Sequence, residues 1–202
     1  MRTVPGSNQR YNFYCATNPP VPLIAVSCGW LERSQLVAPS ETGVRQKYIT
    51  VIFHTQEWER TVGFIRTASG YPELSAQLAR DALQFSTKPQ SSRTPTSPGG
   101  DVPSKMFAKS TQTASSTVAG DNFSLANDAT VPVYDARKVK SLDFHAALPN
   151  LSKTLPLYTG GEIPQGSFVM VGYTMTIYRA NNGNWTLGCN IQWVILIGSP
   201  ED

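Results

Sequence analysis

A few side chains in this sequence are of types that can do acid–base chemistry. Glu57 and Glu59, in the run HTQEWER, are two residues apart and would share one face of a strand. Paired carboxylates can hydrolyse glycosides. The two histidines are His54, at the end of a predicted strand, and His145 in SLDFHAAL. Because strand-end carboxylates and single histidines are more often structural, we predict no catalytic residue and no enzymatic activity.

The spacing of the aspartates and cysteines bears on metal binding. Asp121, Asp128 and Asp135 recur at seven-residue intervals but lack the dense DxDxDG pattern of a calcium loop, so turn-forming roles are expected. The three cysteines have no CxxC spacing. The common phosphate-binding, zinc-protease and serine-hydrolase signatures are absent from the sequence. The sequence therefore predicts no metal and no cofactor.

Composition limits the class of protein. The chain has 202 residues, of which 40% are hydrophobic and 15% charged, with a net charge of +3. This length and apolar content suit one domain with a packed core. The charge is too low for a strong electrostatic binder of nucleic acid. No apolar run reaches the ~18 residues that a membrane span needs, so we expect no membrane span.

The elements that would position these residues are mostly strands. The first 44 residues are rich in proline and predict an extended segment, with a short strand at 23–26. The runs 45–54 and 61–67 are rich in β-branched and aromatic residues and predict two strands. Apolar residues at helical spacing predict a helix over 72–85.

The second half continues the β pattern. Prolines and a Gly pair predict a surface loop over 87–104, and short β-prone pieces follow between 105 and 158. The sequence NNGN predicts a tight turn in a hairpin spanning 166–197. One face of its second strand is apolar at period two. That face contains Trp185, Leu187, Cys189, Ile191, Trp193, Ile195 and Ile197.

The end of this strand is apolar on both faces because Val194 and Leu196 interrupt the polar side. Another layer or another subunit must cover it, so these two residues are candidates for a subunit interface. The expected fold is mainly β: an antiparallel β-sandwich or jelly roll with one or two short helices and long loops. Residues 1–44 would form an extended Pro-rich N-terminal segment, and residues 45–202 a single β-sandwich domain.

The strand GSFVMVGYTMTIYRA at 166–180 resembles the last jelly-roll strand of plant-virus shell domains, in which a glycine precedes alternating aromatic and β-branched residues. The chain as a whole is similar to coat proteins of small icosahedral positive-strand RNA viruses: mainly β, low in charge, and without a catalytic signature. Residues 1–44 contain only Arg2, Arg10 and Arg33 as cations. The resemblance is therefore to groups such as the tymoviruses, whose shells are held together mainly by protein contacts.

This resemblance implies a capsid protein that is made in the host cytoplasm and assembles as many copies of itself into a virion. It would enclose viral genomic RNA weakly and without sequence specificity, because few cations are available to neutralise phosphates. The RNA-facing candidates are Arg2, Arg10, Arg45, Lys47, Lys105, Lys109, Arg137, Lys138 and Lys140.

Two other classes of function remain open. A β-sandwich binding module, lectin-like or toxin-like, could use Trp30, Trp58 and Trp185 to stack on sugars or to sit at a membrane surface. An enzyme on a β scaffold would have to use Glu57 and Glu59. Native particle size separates the capsid from both alternatives.

Overall fold

The computed structural model describes residues 10–40, 45–89 and 124–200, together with the backbone of residues 2–5. The strands are β1 (Arg2–Pro5), β2 (Arg10–Tyr14), β3 (Ile24–Gln35), β4 (Tyr48–Ile52), β5 (Ser75–Ala76), β6 (Leu78–Ala79), β7 (Ala82–Ser86), β8 (Val133–Asp135), β9 (Phe168–Arg179) and β10 (Trp185–Gly198). The helices are α1 (Thr55–Ser69), α2 (Phe144–Ala147) and α3 (Leu151–Thr154), with a 3-10 turn at Leu148–Asn150 between the last two.

Five of the strands pair in a closed ring, which we call the barrel. β9 pairs with β3, β3 with β4, β4 with β7, β7 with β10, and β10 returns to β9. The predicted mainly-β fold with few helices is confirmed. The sheet is mixed rather than purely antiparallel, because β10 runs parallel to β5, β7 and β8.

Strand β3 is shared between two parts of this ring. Its first half pairs with β9 and its second half with β4, and Trp30 pairs with both. Gly29 precedes this switch, and a side chain there would collide with the Ile52 carbonyl and with Val51. Glycine therefore lets β4 approach closely where β3 changes partner. Although β3 belongs to the segment 1–44, it lies inside the sheet, between two strands of the predicted domain 45–202.

The interior of the ring is a single apolar core. Alternate residues of each strand point inward, as the period-two pattern requires. Helix α1 adds Ile65 to the same core. The inward side chains that are at most 1% exposed include Leu31, Ile49, Val51, Phe85, Val171, Met175 and Ile191.

The predicted hairpin at 166–197 is confirmed: β9 and β10 are antiparallel neighbours joined by the turn that contains Gly183, at φ 84°. The predicted single apolar face of β10 is right as far as Ile191 and wrong beyond it. The register shifts between Ile191 and Trp193. A bulge adds one residue and so reverses the faces of everything that follows.

After this bulge, Val194 and Leu196 join Ile191 in the main core. Ile195 and the half-buried Trp193 instead face a second, smaller cluster formed with Leu151 of α3. The strand end that required cover is therefore covered on both faces by the chain itself.

The helix predicted over 72–85 is wrong, because this stretch forms β5, β6 and β7. Leu83 and Phe85 point into the core while β7 pairs with β4. Arg80 has a left-handed φ of 56° in the turn before β7, a conformation that ends any helix. Burial and pairing thus override helical spacing here.

The strand predicted over 61–67 is also wrong, because these residues belong to α1. The ring of His54 accepts a hydrogen bond from the Gln56 amide at the helix start. Gly70, with φ 72°, ends the helix and donates its amide to the Arg66 carbonyl. Such caps stabilise a helix whose interior contains β-branched residues.

Two further predictions concern the middle of the chain. The loop at 87–104 lies outside the described residues beyond position 89. Of the β-prone pieces between 105 and 158, Val133–Asp135 forms β8, whereas Phe144 begins helix α2. No helix in the described ranges is both long and apolar enough to cross a membrane.

Candidate functional site

Aromatic and basic side chains meet near the turn between β9 and β10. We call Arg10, Tyr11, Tyr71, Tyr178 and Trp185 the aromatic–basic cluster. The rings of Tyr71 and Trp185 have centroids 5.0 Å apart, and the ring of Tyr11 lies 5.8 Å from Trp185 and 6.4 Å from Tyr71. The guanidinium carbon of Arg10 lies 5.9 Å from the centre of the Tyr178 ring.

Strand pairing positions most of this cluster. β2 pairs with β9 so that Arg10 lies opposite Tyr178, and Tyr11 opposite Ile177. Since Ile177 points into the core, Tyr11 points inward and packs at the end of the barrel, while Arg10 and Tyr178 are on the outer face. Trp185 begins β10, and Tyr71 follows the end of α1 directly.

The neighbouring turn is held by its own hydrogen bonds. The Arg179 Nε donates to the Gly183 carbonyl at 3.1 Å, and the Asn184 amide donates to Asn182 Oδ1 at 3.0 Å. The Ala180 amide also donates to the Asn184 carbonyl at 2.9 Å. The cluster therefore lies beside a fixed turn, and Arg179 adds another exposed cation there.

The electrostatics of the cluster favour an anion. Partial burial, followed by the positive charge of Arg10, lowers the pKa of Lys88. Within the described part of the chain, the recorded ion pair is Arg137 with Asp135, and no carboxylate pairs with Arg10 or Lys88. Arg10 beside the Tyr178 ring, with the charge of Lys88 acting on it and no carboxylate paired to either among the described residues, favours a negatively charged ligand.

Burial and a neighbouring ring also change the pKa of Tyr71. Burial, followed by the neighbouring Tyr11, raises the pKa of Tyr71. Tyr71 therefore stays neutral at physiological pH and adds no negative charge to the site. A neutral phenol leaves the positive charge of Arg10 in this cluster undiminished.

The predicted RNA-facing residues are not gathered in one place. Arg10 belongs to the cluster, and Arg45 is exposed before β4. Lys47 is buried, with 6% of its surface exposed, and its Nζ donates to the Ala129 carbonyl at 2.9 Å, so it does not face a ligand at the surface. Lys105 and Lys109 lie outside the described residues, and only the backbone of Arg2 is described.

The other predicted cations form a group of their own after β8. Lys138 and Lys140 are exposed. Arg137 pairs with Asp135 at 2.8 Å and lies over the ring of Tyr158, 5.6 Å from its centre. Arg137, followed by Lys138, lowers the pKa of Asp135, so this carboxylate balances part of the positive charge of the group.

The two predicted interface residues are not at the surface. Val194 and Leu196 are both 0% exposed. Both residues pack into the core of the same chain. Neither has exposed surface with which to contact another subunit.

The residues considered for catalysis and metal binding do not form a site. Glu57 and Glu59 lie on α1, where residues two apart point in different directions. His54 caps α1, and Asp135 pairs with Arg137. Asp121 lies outside the described residues, and the described ones contain no group of three or more side chains that could hold a metal ion.

Sequence reasoning missed Tyr11, Tyr71, Lys88 and Tyr178. The local signal was weak, since single aromatic and basic residues in separate segments are common. The pairing of β2 with β9, which has no local signal in the sequence, brings Arg10 and Tyr11 to the end of β9 that contains Tyr178.

Comparisons with known proteins find a structural similarity but no match to a family model or a curated protein. No protein-family model matches the chain, and no curated protein matches it. Among solved structures, the chain is similar to gp2.5, a single-stranded DNA binding protein encoded by bacteriophage T7. The TM-score is 0.40 at 14% sequence identity, and the alignment covers 89% of this chain and 93% of that one.

Proposed function

We propose that this protein binds single-stranded nucleic acid, and that the aromatic–basic cluster is its contact surface. The observation that carries the proposal is Arg10, whose guanidinium lies over the Tyr178 ring next to the contacting rings of Tyr11, Tyr71 and Trp185 and pairs with no carboxylate among the described residues. Cations bind the phosphate backbone, and aromatic rings stack on unpaired bases. This function belongs to the binding-module class rather than to the enzymes.

The connectivity of the barrel supports the same function. Its first strand, β3, pairs with both β4 and β9, its third strand, β7, runs parallel to its last, β10, and β9 and β10 form a hairpin. This is the connectivity of five-stranded OB barrels, which bind oligonucleotides and oligosaccharides on one face and on the loops beside it. The turn between β9 and β10, next to the cluster, corresponds to one of those loops.

Single strands are expected to bind better than duplexes. Base–aromatic stacking contributes about 1–3 kcal/mol per base, but it requires bases that are free to leave the helical stack. Two or three cations at the site would release few counterions, so the log–log salt slope should be about −1.4 to −2.1 at ~0.7 per phosphate. This modest slope agrees with the low net charge of +3.

The test is fluorescence anisotropy with a labelled oligo(dT) of about twelve nucleotides, a length within the usual site sizes. Arg10→Ala should weaken binding by roughly three- to tenfold, because it removes a phosphate contact and the cation over Tyr178. Arg60→Ala removes the same charge from the exposed surface of α1 and should change the affinity less than twofold. Equal effects of the two substitutions, or no binding by the unaltered protein, would refute the proposal.

The capsid function implied by the resemblance to viral coat proteins stays a prediction. Its main physical motive was the apolar strand end at 194–197, and burial of Val194 and Leu196 within one copy removes that motive. Sedimentation of nuclease-treated protein at low and about molar salt decides it. Megadalton particles in both conditions would support a shell held by apolar contacts. A small species that binds single strands in a salt-dependent way supports the proposal made here.

A further inference from the structure

A chain of side-chain hydrogen bonds crosses the outer face of the sheet next to Arg10 and Tyr178. Asn190 on β10 donates through Nδ2 to Thr176 Oγ1 on β9 at 2.9 Å. Thr176 Oγ1 donates in turn to Asn12 Oδ1 on β2 at 3.2 Å. We call Asn12, Thr176 and Asn190 the amide relay. The three strands are thus joined by these side chains as well as by their backbones.

The partners of the amide relay fix which way each amide group points. Asn190 Nδ2 also donates to the Thr174 carbonyl at 3.4 Å, and a carbonyl only accepts, so the nitrogen of Asn190 faces β9 and its Oδ1 faces away. The Thr176 hydroxyl already accepts from Asn190, and its one proton goes to Asn12 Oδ1. The Nδ2 group of Asn12 therefore points away from the relay. One amide offers a hydrogen-bond donor and the other an acceptor.

Both of these outward groups are free and in contact with solvent. Within the described ranges, no hydrogen bond uses Asn12 Nδ2 or Asn190 Oδ1. The buried side-chain atoms without a partner in those ranges are Gln35 Oε1 and Ser167 Oγ, so neither amide atom is sealed inside the protein. Asn12 and Asn190 are half-buried, whereas Thr176 between them is 7% exposed. A ligand would therefore contact the two amides and not the threonine.

The amide relay is continuous with the aromatic–basic cluster. Asn12 is two residues from Arg10 on β2, on the same face and about 7 Å away along the strand. Gly188 lies between Tyr178 and Asn190, since a Cβ on this glycine would be 3.3 Å from Tyr178 Cε1 and 3.8 Å from Asn190 Oδ1. Without a side chain at this position, the ring and the amide oxygen lie next to one another. The free donor and the free acceptor thus border the surface proposed to bind nucleic acid.

We infer that Asn12 and Asn190 read the edges of unpaired bases, and that Thr176 is the positioning residue that fixes both amides. This inference rests on the proposed function. Proteins that bind single-stranded RNA hydrogen-bond to the Watson–Crick edges of unpaired bases, where donors and acceptors lie side by side. The phosphate backbone offers acceptors alone, so the acceptor Asn190 Oδ1 suits a base and not a phosphate. Thymine and uracil, in which a ring N–H lies between two carbonyl groups, complement both amides.

The experiment measures fluorescence anisotropy with oligo(dT) of about twelve nucleotides and with the same strand methylated at the ring N–H of every thymine. Methylation should weaken binding by the unaltered protein by roughly three- to tenfold, because Asn190 Oδ1 loses its donor. In Asn190→Ala this methylation penalty should fall below about twofold. Gln84→Ala is the matched control, because Gln84 is another half-buried amide but lies on β7. It should keep the full penalty.

The donor and the positioning residue are tested by further variants. Asn12→Ala should weaken oligo(dT) binding by roughly three- to tenfold but leave the log–log salt slope unchanged, because no charge is lost. Arg10→Ala removes a phosphate contact and should reduce the magnitude of that slope by about 0.7. Thr176→Val replaces the hydroxyl with a methyl group and should reduce the methylation penalty. Thr176→Ser keeps the hydroxyl and should retain the penalty.

The outcomes distinguish base reading from nucleic-acid binding itself. Each methylation penalty compares two strands on one protein, so a general loss of stability in a variant cancels. If the unaltered protein binds oligo(dT) but the penalty is absent, or is as large in Asn190→Ala, base reading is refuted while the proposed function stands. A smaller salt slope in Asn12→Ala would assign Asn12 to the phosphate backbone and refute its role as a base donor. If the unaltered protein binds no oligonucleotide, the inference and the proposed function are both refuted.

Discussion

The indole of Trp193 lies directly over Gly172 across the β9–β10 hairpin, where any side chain on residue 172 would collide with the ring. The contact fixes the outer face of the hairpin just after the bulge in β10. It also explains why a residue without a side chain stands in the middle of a strand whose neighbours are β-branched or aromatic.

Gly172→Ala should therefore destabilise the protein by about 1–3 kcal/mol, because the ring of Trp193 must move from its packed position. Urea denaturation followed by circular dichroism measures this loss. Gly63→Ala is the control, since Gly63 lies in α1 with nothing within 4 Å of the added methyl group. That change should raise the stability by about 0.5–1 kcal/mol. Similar stability losses in the two variants would contradict the contact.

The bulge predicts a reversal of burial at the end of β10. Leu196→Ala should cost about 2–5 kcal/mol of unfolding free energy, because Leu196 is fully buried in the main core. Ile197→Ala should cost clearly less, because Ile197 is only half-buried against the smaller cluster. Uninterrupted alternation along β10 would give the opposite order, so the two midpoints in urea distinguish the registers.

The residues of this hairpin also show which structural features can be predicted from the sequence. The NNGN turn and the alternation up to Ile191 predict the hairpin correctly, because both are local signals. The bulge between Ile191 and Trp193 depends on pairing with β9 and leaves no local signal, so Val194 and Leu196 were assigned to a subunit interface instead of the core. A one-residue shift is enough to reverse that assignment.

The candidate site could not be predicted from the sequence for the same reason. Arg10 and Tyr178 come from opposite ends of the chain and meet only because β2 extends the edge of β9 beyond β3. Tyr71 joins them because α1 forms where strand-prone residues predicted a strand, and its end at Gly70 directs the chain to Trp185. The sequence identifies Arg10 as a cation but does not show which aromatic rings lie beside it.

Cys189 should be unreactive in the folded protein. Burial raises the pKa of its thiol to about 12, so almost no thiolate is present at neutral pH. In a Cys15→Ser, Cys28→Ser variant, a thiol reagent at pH 8 should label Cys189 only after a denaturant is added. The double variant Cys28→Ser, Cys189→Ser provides the comparison, because the half-exposed Cys15 should react without denaturant. Rapid labelling of Cys189 in the native protein would mean that the barrel opens readily.

Nucleic-acid binding should weaken as the pH rises through the lowered pKa of Lys88. Partial burial and the charge of Arg10 lower that pKa below the usual lysine value, so Lys88 loses its proton at a lower pH than surface lysines do. Only the protonated amine binds a phosphate, and a bound phosphate favours that form. Binding above the pKa therefore takes up a proton, and the affinity falls by up to about tenfold per pH unit.

The Lys88→Arg variant tests directly whether Lys88 causes this pH dependence, because the guanidinium that replaces the amine stays charged at alkaline pH. The unaltered protein should lose affinity for oligo(dA), whose bases do not titrate at alkaline pH, at a lower pH than an ordinary lysine would give, whereas Lys88→Arg should keep its affinity. Anisotropy titrations at constant ionic strength measure both curves. A parallel decline in the two proteins would assign the effect to another group and remove Lys88 from the binding surface.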